Sequence, residues 1–230
     1  GGDGAILEAV KKYQKISPII LGLNLGRIGF LASARREDCF LVILQKLIEG
    51  KFLITKRMMI KISVQRDGKN VFQARAFNEV TIQSLLGMVE LEVLINNHPF
   101  QYVRGSGILV ATATGSTAFN LSAHGPVVMP DIKCLIITEL LDHNTPTPSL
   151  VVKRNKKIEI KVLAFRKQGL LSLSSSGELV DVLLIADADT IFPIEKGDII
   201  KIERSKSLVK YAEFEPNYFL KSLNEKFGYR

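Results

Sequence analysis

The first four residues, Gly1-Gly2-Asp3-Gly4, have the composition of a phosphate-binding turn. A helix is predicted to follow directly. Backbone N–H groups at a helix start bind phosphate oxygens, and glycines let the phosphate approach closely. Asp3 would repel a phosphate, but it could bind a metal carried by the phosphate or accept a proton from an attacking hydroxyl. The alternative is a glycine-rich turn in which Asp3 only caps the helix.

A second glycine-rich segment, Leu23-Asn24-Leu25-Gly26-Arg27-Ile28-Gly29-Phe30-Leu31, follows a predicted strand. Ligands of α/β proteins bind at the carboxyl ends of strands, so this loop is a candidate binding loop. Phe30 could offer an apolar wall to a nucleotide base. Alternatively, the segment is a structural turn and Phe30 belongs to the core.

The third segment is Phe77-Asn78-Glu79-Val80, in which two polar residues interrupt an otherwise apolar strand. Asn78 and Glu79 together supply donors and an acceptor suited to ribose hydroxyls. Neighbouring residues of a strand point to opposite faces, so both can act together only at a bulge or a strand end. The alternative is that both side chains face solvent.

The fourth segment, residues 111–122 (ATATGSTAFNLS), follows an apolar strand at 108–110. A turn rich in Thr, Ser and Gly then leads into a predicted helix that has Ser122 in its first turns. Hydroxyls and free N–H groups at such a helix start form a neutral cradle for phosphates or ribose. A serine-rich helix cap is the alternative.

The elements that must position these segments differ between the two parts of the chain. In the first fifty residues, apolar spacing predicts helices over 5–13 and 37–49 around a buried strand at 19–23, with Gly50 capping the second helix. One face of that helix is predicted to be apolar and to consist of Phe40, Leu41, Ile43, Leu44, Leu47 and Ile48.

From residue 52 to about residue 205 the hydrophobic period changes from 3.6 to 2. Asp67-Gly68 and Asn96-Asn97 are hairpin signals, and further strands are predicted over 157–162, 179–185 and 199–203. The predicted fold class is therefore α+β with two domains. A partial α/β domain covers residues 1–50, an antiparallel β-sandwich covers 51–205, and a C-terminal segment and helix over 206–230 packs back on the α/β part.

Charge and composition restrict the class of partner. The chain has 31 Lys and Arg against 23 Asp and Glu, a net charge of +8 that favours anionic partners. Its apolar stretches are shorter than the roughly 20 residues of a membrane-spanning helix, so no membrane partner is expected. Two isolated cysteines indicate a reducing, cytoplasmic location. The three histidines have no metal-ligand spacing, and no P-loop, Rossmann fingerprint or nucleic-acid stacking platform occurs.

Taken together and in this order, GGDG at 1–4, LGLNLGRIGFL at 21–31, FNEV at 77–80 and ATATGSTAFNLSAHGPVV at 111–128 resemble the NAD kinases. The resemblance implies an α/β nucleotide-binding domain and a β-sandwich NAD-binding domain. It also implies transfer of the terminal phosphate of ATP, or of polyphosphate, to the 2′-hydroxyl of the NAD adenosine ribose. A divalent metal, usually Mg²⁺, and a homodimer or homotetramer are further implications.

The resemblance also assigns roles by motif position. Asp3 would be the base that activates the 2′-hydroxyl, Gly2 and Gly4 would line the phosphate path, and Phe30 would contact the adenine region. The remaining positions would bind NAD; they are Asn78, Glu79, Ser106, Thr117, Ala118, Phe119 and Ser122.

Several positions depart from the family pattern. Ser106 stands where Asp is usual, Phe119 where Tyr is common, and Ala5 where Thr or Ser is frequent. Asp187-Ala188-Asp189 occupies the place of a common Asp-Gly-Gln, and residues 138–150 align only loosely, with Leu141 and His143 among them. Family members carry an α/β segment before the GGDG turn, so the chain is expected to lack the N-terminal part of its first domain.

Two other interpretations remain open at this point. A lipid kinase of the diacylglycerol or sphingosine class shares the GGDG turn and the two-domain plan. A non-catalytic dinucleotide-binding protein is suggested by Ser106, because a carboxylate is missing there, and by the expected loss of the N-terminal segment.

Overall fold

The computed structural model describes residues 2–24, 29–33, 39–142, 147–173, 177, 179–215 and 217–228. The backbone divides into two compact units. Unit 1 consists of Gly1–Met58, Met129–Asp131 and Ser207–Arg230, and unit 2 consists of Met59–Val128 and Ile132–Lys206. No helix among the described residues is long and apolar enough to cross a membrane.

The helices and strands follow one another along both units. The helices are α1 (Asp3–Lys12), α2 (Phe40–Ile48), α3 (Phe119–Ser122) and α4 (Tyr218–Phe227). The strands are β1 (Ile19–Ile20), β2 (Leu53–Arg66), β3 (Lys69–Ala76), β4 (Glu79–Ser84), β5 (Val89–Ile95), β6 (His98–Thr112), β7 (Cys134–Asp142), β8 (Leu150–Lys153), β9 (Ile158–Phe165), β10 (Val182–Ala186), β11 (Thr190–Pro193) and β12 (Ile199–Glu213).

In unit 1 the first helix begins at Asp3, two residues before the predicted start. Ile6 and Val10, four residues apart, are the buried residues of α1, which is the spacing of one helix face. Within the segment predicted as a strand over 19–23, Ile19 and Ile20 form β1, which pairs in parallel with Lys210 and Tyr211 of β12.

Helix α2 forms as predicted but buries less of its apolar face. Ile43 is its buried residue, whereas Leu41 is 79% exposed and Ile48 is 87% exposed. Sharing one helix face does not make these residues buried, and Leu44 is exposed as well, at 38%. Gly50 does cap the helix: at φ 70° it donates from its N–H to Leu47, and Lys51 donates to Lys46, the bonding pattern of a Schellman motif.

The last helix, α4, packs back on unit 1 as predicted. It follows Asn217 (φ 61°) and ends at Gly228 (φ 64°). The rings of Phe219 and Phe227 lie 5.9 Å and 6.1 Å from the ring of Phe30. Aromatic pairs at this distance stabilise a core beyond the area they bury.

Unit 2 is built from antiparallel strands. The two predicted hairpins both occur: Asp67-Gly68 joins β2 to β3 and Asn96-Asn97 joins β5 to β6, each with two consecutive positive φ angles. Such turns match the natural twist of paired strands. The strand order is β11-β10-β4-β6-β5-β9-β12-β2-β3, with β7 also beside β6 and β8 beside β7.

Strand β6 changes partner along its length. Its first half pairs with β5 up to Gly105; it pairs with β7 from Gly105 onward and with β4 from Gly107 onward. The change falls at Gly107 (φ 148°), where a Cβ atom would lie 2.9 Å from Gln83 Cα. Strands that switch partners form the corners of packed sheets, in agreement with the predicted β-sandwich.

Candidate active site

Asp3 is the first residue of α1, and its carboxylate is held by two backbone groups of the second glycine-rich segment. The N–H of Phe30 donates to Oδ2 at 2.9 Å and the N–H of Leu31 donates to Oδ1 at 3.1 Å. One hydrogen bond to each oxygen fixes the plane of the carboxylate and leaves lone pairs on both oxygens. The structure therefore brings together the first two motifs.

Three glycines near Asp3 differ in how much room each leaves for a side chain. A Cβ atom at Gly29 would lie 2.6 Å from Asp3 Cγ, so this position admits only glycine while the carboxylate stays in place. A Cβ atom at Gly2 or Gly4 would meet no described atom within 4 Å. The close contact with Asp3 therefore explains why residue 29 is glycine. Gly2 and Gly4 instead border open space, as a phosphate path would require.

Phe30 is 4% exposed, and its ring lies among side chains of α4. Besides the two Phe rings, Lys226 places its Nζ 4.5 Å from the ring centroid of Phe30. This environment corresponds to the core alternative for Phe30. Contact with an adenine ring stays a prediction.

A buried polar cluster, unmarked by any sequence motif, also lies in unit 1. The Arg57 guanidinium stacks on the Tyr211 ring at 4.7 Å, and its Nη2 lies 3.3 Å from Glu213, which also accepts from Thr55 at 2.9 Å. Burial raises the pKa of Tyr211, and the charge of Asp3 raises it further while that of Arg57 lowers it. The electrostatic field of Asp3 therefore reaches this cluster.

In unit 2, Asn78 and Glu79 lie where β4 begins, directly after the break that follows β3. Each is 7% exposed, so the interpretation as two solvent-facing residues is wrong. The break is a strand end, the geometry that the sequence analysis required for both side chains to act together.

The backbone of Asn78 is held by the fourth motif. Thr112 donates from its Oγ1 to Phe77 O at 2.7 Å and from its N–H to Asn78 O at 2.8 Å. A Cβ atom at Gly115 would lie 2.5 Å from the Asn78 carbonyl carbon, so the loop after β6 packs directly on the peptide of Asn78. The third segment (77–80) and the fourth segment (111–122) therefore pack directly against each other.

The side chain of Asp187, in the turn between β10 and β11, completes this structure. Its carboxylate accepts from the backbone N–H groups of Phe77 (2.7 Å), Asn78 (2.7 Å) and Glu79 (3.3 Å). The sequence analysis noted Asp187 only as a partial match to a family motif and assigned it no role. No local pattern could have shown this contact, because the bonded residues are 108 to 110 positions apart.

Two buried oxygen atoms of this site, Asn78 Oδ1 and Glu79 Oε2, have no hydrogen-bond partner within the described part of the chain. Leaving a buried acceptor unpaired costs about 1–3 kcal/mol. Burial, and then the charge of Asp187, raises the pKa of the Glu79 carboxyl to about 8. A ligand that presents hydroxyl or amide donors would satisfy both atoms.

The Ser and Thr hydroxyls of the fourth segment form hydrogen bonds mainly with other groups of the protein. Ser116 donates to Ala113 O at 2.7 Å and accepts from the Val128 N–H at 3.0 Å, while Thr117 donates to Thr114 O at 3.4 Å. They stabilise the 3₁₀ turn at Thr114–Thr117 rather than forming an open cradle. Of the predicted NAD-binding residues here, Thr117 and Ala118 are half-buried, and Phe119 and Ser122 are exposed.

Asn120 is the buried centre of the turn that contains α3. Its Nδ2 donates to Ser116 O at 3.3 Å and to Pro126 O at 3.1 Å, and its Oδ1 accepts from Thr138 at 2.8 Å. A Cβ atom at Gly125 would lie 2.5 Å from the Asn120 amide. This network positions Phe119 and Ser122.

The remaining predicted residues lie apart from this network or outside the description. Ser106 is half-buried in β6, between the two glycines where the strand changes partner. Leu141 lies at φ 48° and is 80% exposed, and His143 falls outside the described residues. Across the residues that the structure describes, no three His, Cys, Asp or Glu side chains are grouped closely enough to hold a metal ion.

Two family models match the chain in sequence order. The ATP-NAD kinase N-terminal domain matches residues 1–52, and the ATP-NAD kinase C-terminal domain matches residues 77–214. The first match contains Asp3 and Gly29, and the second contains Asn78, Glu79 and Asp187.

Curated relatives show the same similarity over nearly the whole chain. The NAD kinase of Symbiobacterium thermophilum is 33% identical over 228 residues, which are 98% of this chain and 76% of the relative. The NAD kinase of Desulforamulus reducens is 32% identical, over 98% of this chain and 74% of the relative. The chain thus spans about three quarters of the length of these relatives.

Solved structures share the fold. A yeast NADH kinase crystallised with NADH has a TM-score of 0.86 at 23% identity, with 100% of this chain and 64% of that chain covered. An NAD kinase from Archaeoglobus fulgidus in complex with ATP has a TM-score of 0.74 at 26% identity, covering 98% of this chain and 80% of that chain. These likenesses confirm the predicted two-domain fold class.

The fold, the site and the matches define the chain as a phosphotransferase. The chain belongs to the NAD kinase family. Membership confirms the family, the enzyme class and the function predicted from the four motifs, and it favours a dinucleotide kinase over a lipid kinase.

Proposed function

We propose that the chain transfers the terminal phosphate of ATP to the 2′-hydroxyl of the NAD adenosine ribose, giving NADP and ADP, with polyphosphate as an alternative donor. The observation that carries this proposal is the pair of unpartnered buried atoms, Asn78 Oδ1 and Glu79 Oε2, at the start of β4. Ribose hydroxyls and the carboxamide of NAD supply the donors that these atoms lack.

Asp3 is the proposed base. Its carboxylate is oriented by the N–H groups of Phe30 and Leu31, and a lone pair remains on each oxygen. As the 2′-oxygen bonds to the terminal phosphorus, its proton passes to Asp3. The bond from that phosphorus to the bridging oxygen breaks, and ADP leaves with the electron pair. Phosphoryl transfer depends mainly on such positioning and on neutralising phosphate charge.

The NAD side of the site is assigned to unit 2. Asn78 and Glu79 bind hydroxyl or amide groups from their position under the Gly115 loop. Phe119 offers a ring that is 39% exposed, suited to stacking on a base. The other residues proposed to contact NAD are Ser106, Thr117, Ala118 and Ser122.

The phosphate donor is assigned to the start of α1. Gly2 and Gly4 border open space there, and the helix start is an attractive site for phosphate oxygens. We propose that the phosphate donor brings a divalent cation, Mg²⁺ or another, as a metal–phosphate complex, so that the Asp3 carboxylate keeps its role as the base. When bound, such a cation neutralises charge on the transferred phosphate. A cytoplasmic homodimer or homotetramer is the proposed assembly.

A turnover assay tests this function. The chain is incubated with ATP, MgCl₂ and NAD, and NADP is measured with an NADP-specific dehydrogenase. We expect Asp3→Asn to lower turnover by about 10²–10⁴-fold, the usual contribution of a general base, while NAD still binds. Asn78→Ala should instead raise the KM for NAD.

Three outcomes would contradict the proposal in different ways. NAD binding by calorimetry without NADP formation would support a non-catalytic dinucleotide-binding protein. Transfer of labelled phosphate to diacylglycerol or sphingosine instead of NAD would support a lipid kinase. Equal turnover of the parent chain and Asp3→Asn would remove Asp3 from the role of base.

A further inference from the structure

The carboxylate of Asp187 lies in a concave group of three consecutive backbone N–H donors. Phe77, Asn78 and Glu79 all donate to it, at 2.7, 2.7 and 3.3 Å, and its own N–H donates back to Glu79 O at 3.1 Å. Successive N–H groups arranged in this way form an anion-binding nest. In this structure the nest is filled by a side chain of the protein itself.

A left-handed turn between β10 and β11 directs Asp187 into the nest. Asp187 (φ 49°) and Ala188 (φ 65°) are its central residues, and the Asp189 N–H closes it on Ala186 O at 3.3 Å. Positive φ at both central residues is the geometry of a type I′ turn. Outside glycine, Asn and Asp this conformation is uncommon, and such strain is found where a side chain must be held in one place.

The same carboxylate also acts electrostatically on Glu79. Both groups are largely buried and both are acids, so ionising the two together is unfavourable. Opposite Glu79, β6 contributes Ala111 and then Thr112, which carry no charge. The charged groups that act on the pair are acidic: Asp187 acts on Glu79, and Asp189 acts on Asp187.

The two acids differ in what stabilises a negative charge. Asp187 accepts three N–H bonds, which favour its ionised form, although burial still raises its pKa. Glu79 Oε2 lacks a partner among the described residues, and its pKa rises to about 8. A proton on the pair is therefore held by Glu79 in preference to Asp187, whose ionised form the three N–H groups favour.

We propose that Asp187 is a positioning residue for the dinucleotide site: it holds Asn78 and Glu79 through their backbone and keeps Glu79 in the neutral form that donates a hydrogen bond to NAD. The inference rests on the proposed function, because it assigns NAD to this site. A neutral Glu79 both donates and accepts hydrogen bonds, whereas an ionised Glu79 only accepts them and adds a charge that repels the NAD diphosphate.

The first test needs no activity and uses a variant only to assign a signal. The chain is labelled with ¹³C at its glutamate carboxyls, and the Glu79 signal is assigned by its loss in Glu79→Gln. We expect this carboxyl to titrate with a midpoint near pH 8. A midpoint near the ordinary value of 4.5 would overturn the inference whether or not the chain is a kinase.

The second test uses Asp187→Asn with Asp189→Asn as matched control. The first substitution keeps one acceptor oxygen in the nest and removes the charge next to Glu79. The control, Asp189→Asn, removes an exposed charge of the same turn and leaves the Asp187 carboxylate on its three N–H donors. We expect the Glu79 midpoint to fall in Asp187→Asn, because a charge that raises it is removed, and to shift less in the control, because Asp189 acts on Asp187.

The pH dependence of the kinetics then tests whether the ionisation of Glu79 affects the use of NAD. The value of kcat/KM for NAD reports groups of the free enzyme, and we expect it to fall as pH rises above about 8. In Asp187→Asn this fall should begin at lower pH, with KM at neutral pH raised and kcat little changed. Activity with the same midpoint in both proteins would overturn the role of Asp187, whereas no NADP from the parent chain at any pH would overturn the proposed function instead.

Discussion

Gly29 lies so close to Asp3 that a Cβ atom at position 29 would be 2.6 Å from Asp3 Cγ. The missing side chain lets the carboxylate reach the N–H groups of Phe30 and Leu31. Residues that lie 27 and 28 positions apart in the sequence are therefore parts of one arrangement that orients the proposed base.

Gly29→Ala should displace the Asp3 carboxylate from its two N–H donors without contacting a ligand directly. The added methyl group requires Asp3 to leave its two N–H donors, and a displacement of about 1 Å in a reacting group can cost about 10²-fold in rate. We expect kcat for NADP formation to fall by that order. Gly87→Ala is the control, because its Cβ atom would meet the flexible end of Gln168 at 3.2 Å and Ser84 Oγ at 3.9 Å. Wild-type kcat in Gly29→Ala would show that Asp3 need not be held.

Glu79→Gln should change how stability depends on pH. The pKa of Glu79 is raised from 4.5 to about 8 in the folded chain, so the folded state binds the proton more tightly than the unfolded chain. The resulting stabilisation is complete below pH 4.5 and is lost as pH rises through about 8. We expect the free energy of unfolding of the parent to decline relative to Glu79→Gln across this window, by up to about 1.4 kcal/mol per pH unit.

Urea unfolding at several pH values between 4.5 and 9 measures this difference. Glu92→Gln serves as comparison, because Glu92 is paired on the surface with Lys161 at 2.9 Å. Parallel stability curves for the parent and Glu79→Gln would contradict the raised pKa.

Ala188→Gly should stabilise the turn that presents Asp187. Ala188 lies at φ 65°, a conformation that costs an L-residue about 1–2 kcal/mol and costs glycine little. We expect unfolding to become harder by about 1 kcal/mol, a rise in melting temperature of about 2–4 °C for a chain of this size. Ala74→Gly in β3 is the matched control, and there the same change should destabilise. A lower melting temperature for Ala188→Gly would show that the turn is not strained.

Asn120→Ala should weaken both stability and NAD binding. It removes the amide that donates to Ser116 O and Pro126 O, whereas the Thr138 hydroxyl keeps Ser149 as a partner; buried groups left unpaired cost about 1–3 kcal/mol. Phe119 and Ser122 flank it on α3, so we also expect a higher KM for NAD. Asn155→Ala, at an exposed turn, should stay within about 0.5 kcal/mol of the parent. An unchanged KM in Asn120→Ala would separate α3 from NAD binding.

The hairpin turns and the helix end were predictable because short stretches of sequence specify them. Asp67-Gly68 and Asn96-Asn97 specify their hairpins because left-handed turns need those residue types. Gly50 marks the end of α2 for the same reason. The apolar face of α2 was predicted less well, because helical spacing shows which residues share a face and not whether anything covers it, as the exposure of Leu41 and Ile48 demonstrates.

By itself, the sequence determined the family, the hairpins and the four motifs, since turn chemistry, periodicity and motif order all act over short stretches of chain. Only the tertiary structure placed Asp187 on the N–H groups of residues 77–79, buried Asn78 and Glu79, and brought Tyr211 into the field of Asp3. These relations depend on strand register, on a strained turn and on burial. Asp187 and its three donors are 108 to 110 positions apart in the sequence, so their contact forms only when distant segments pack together.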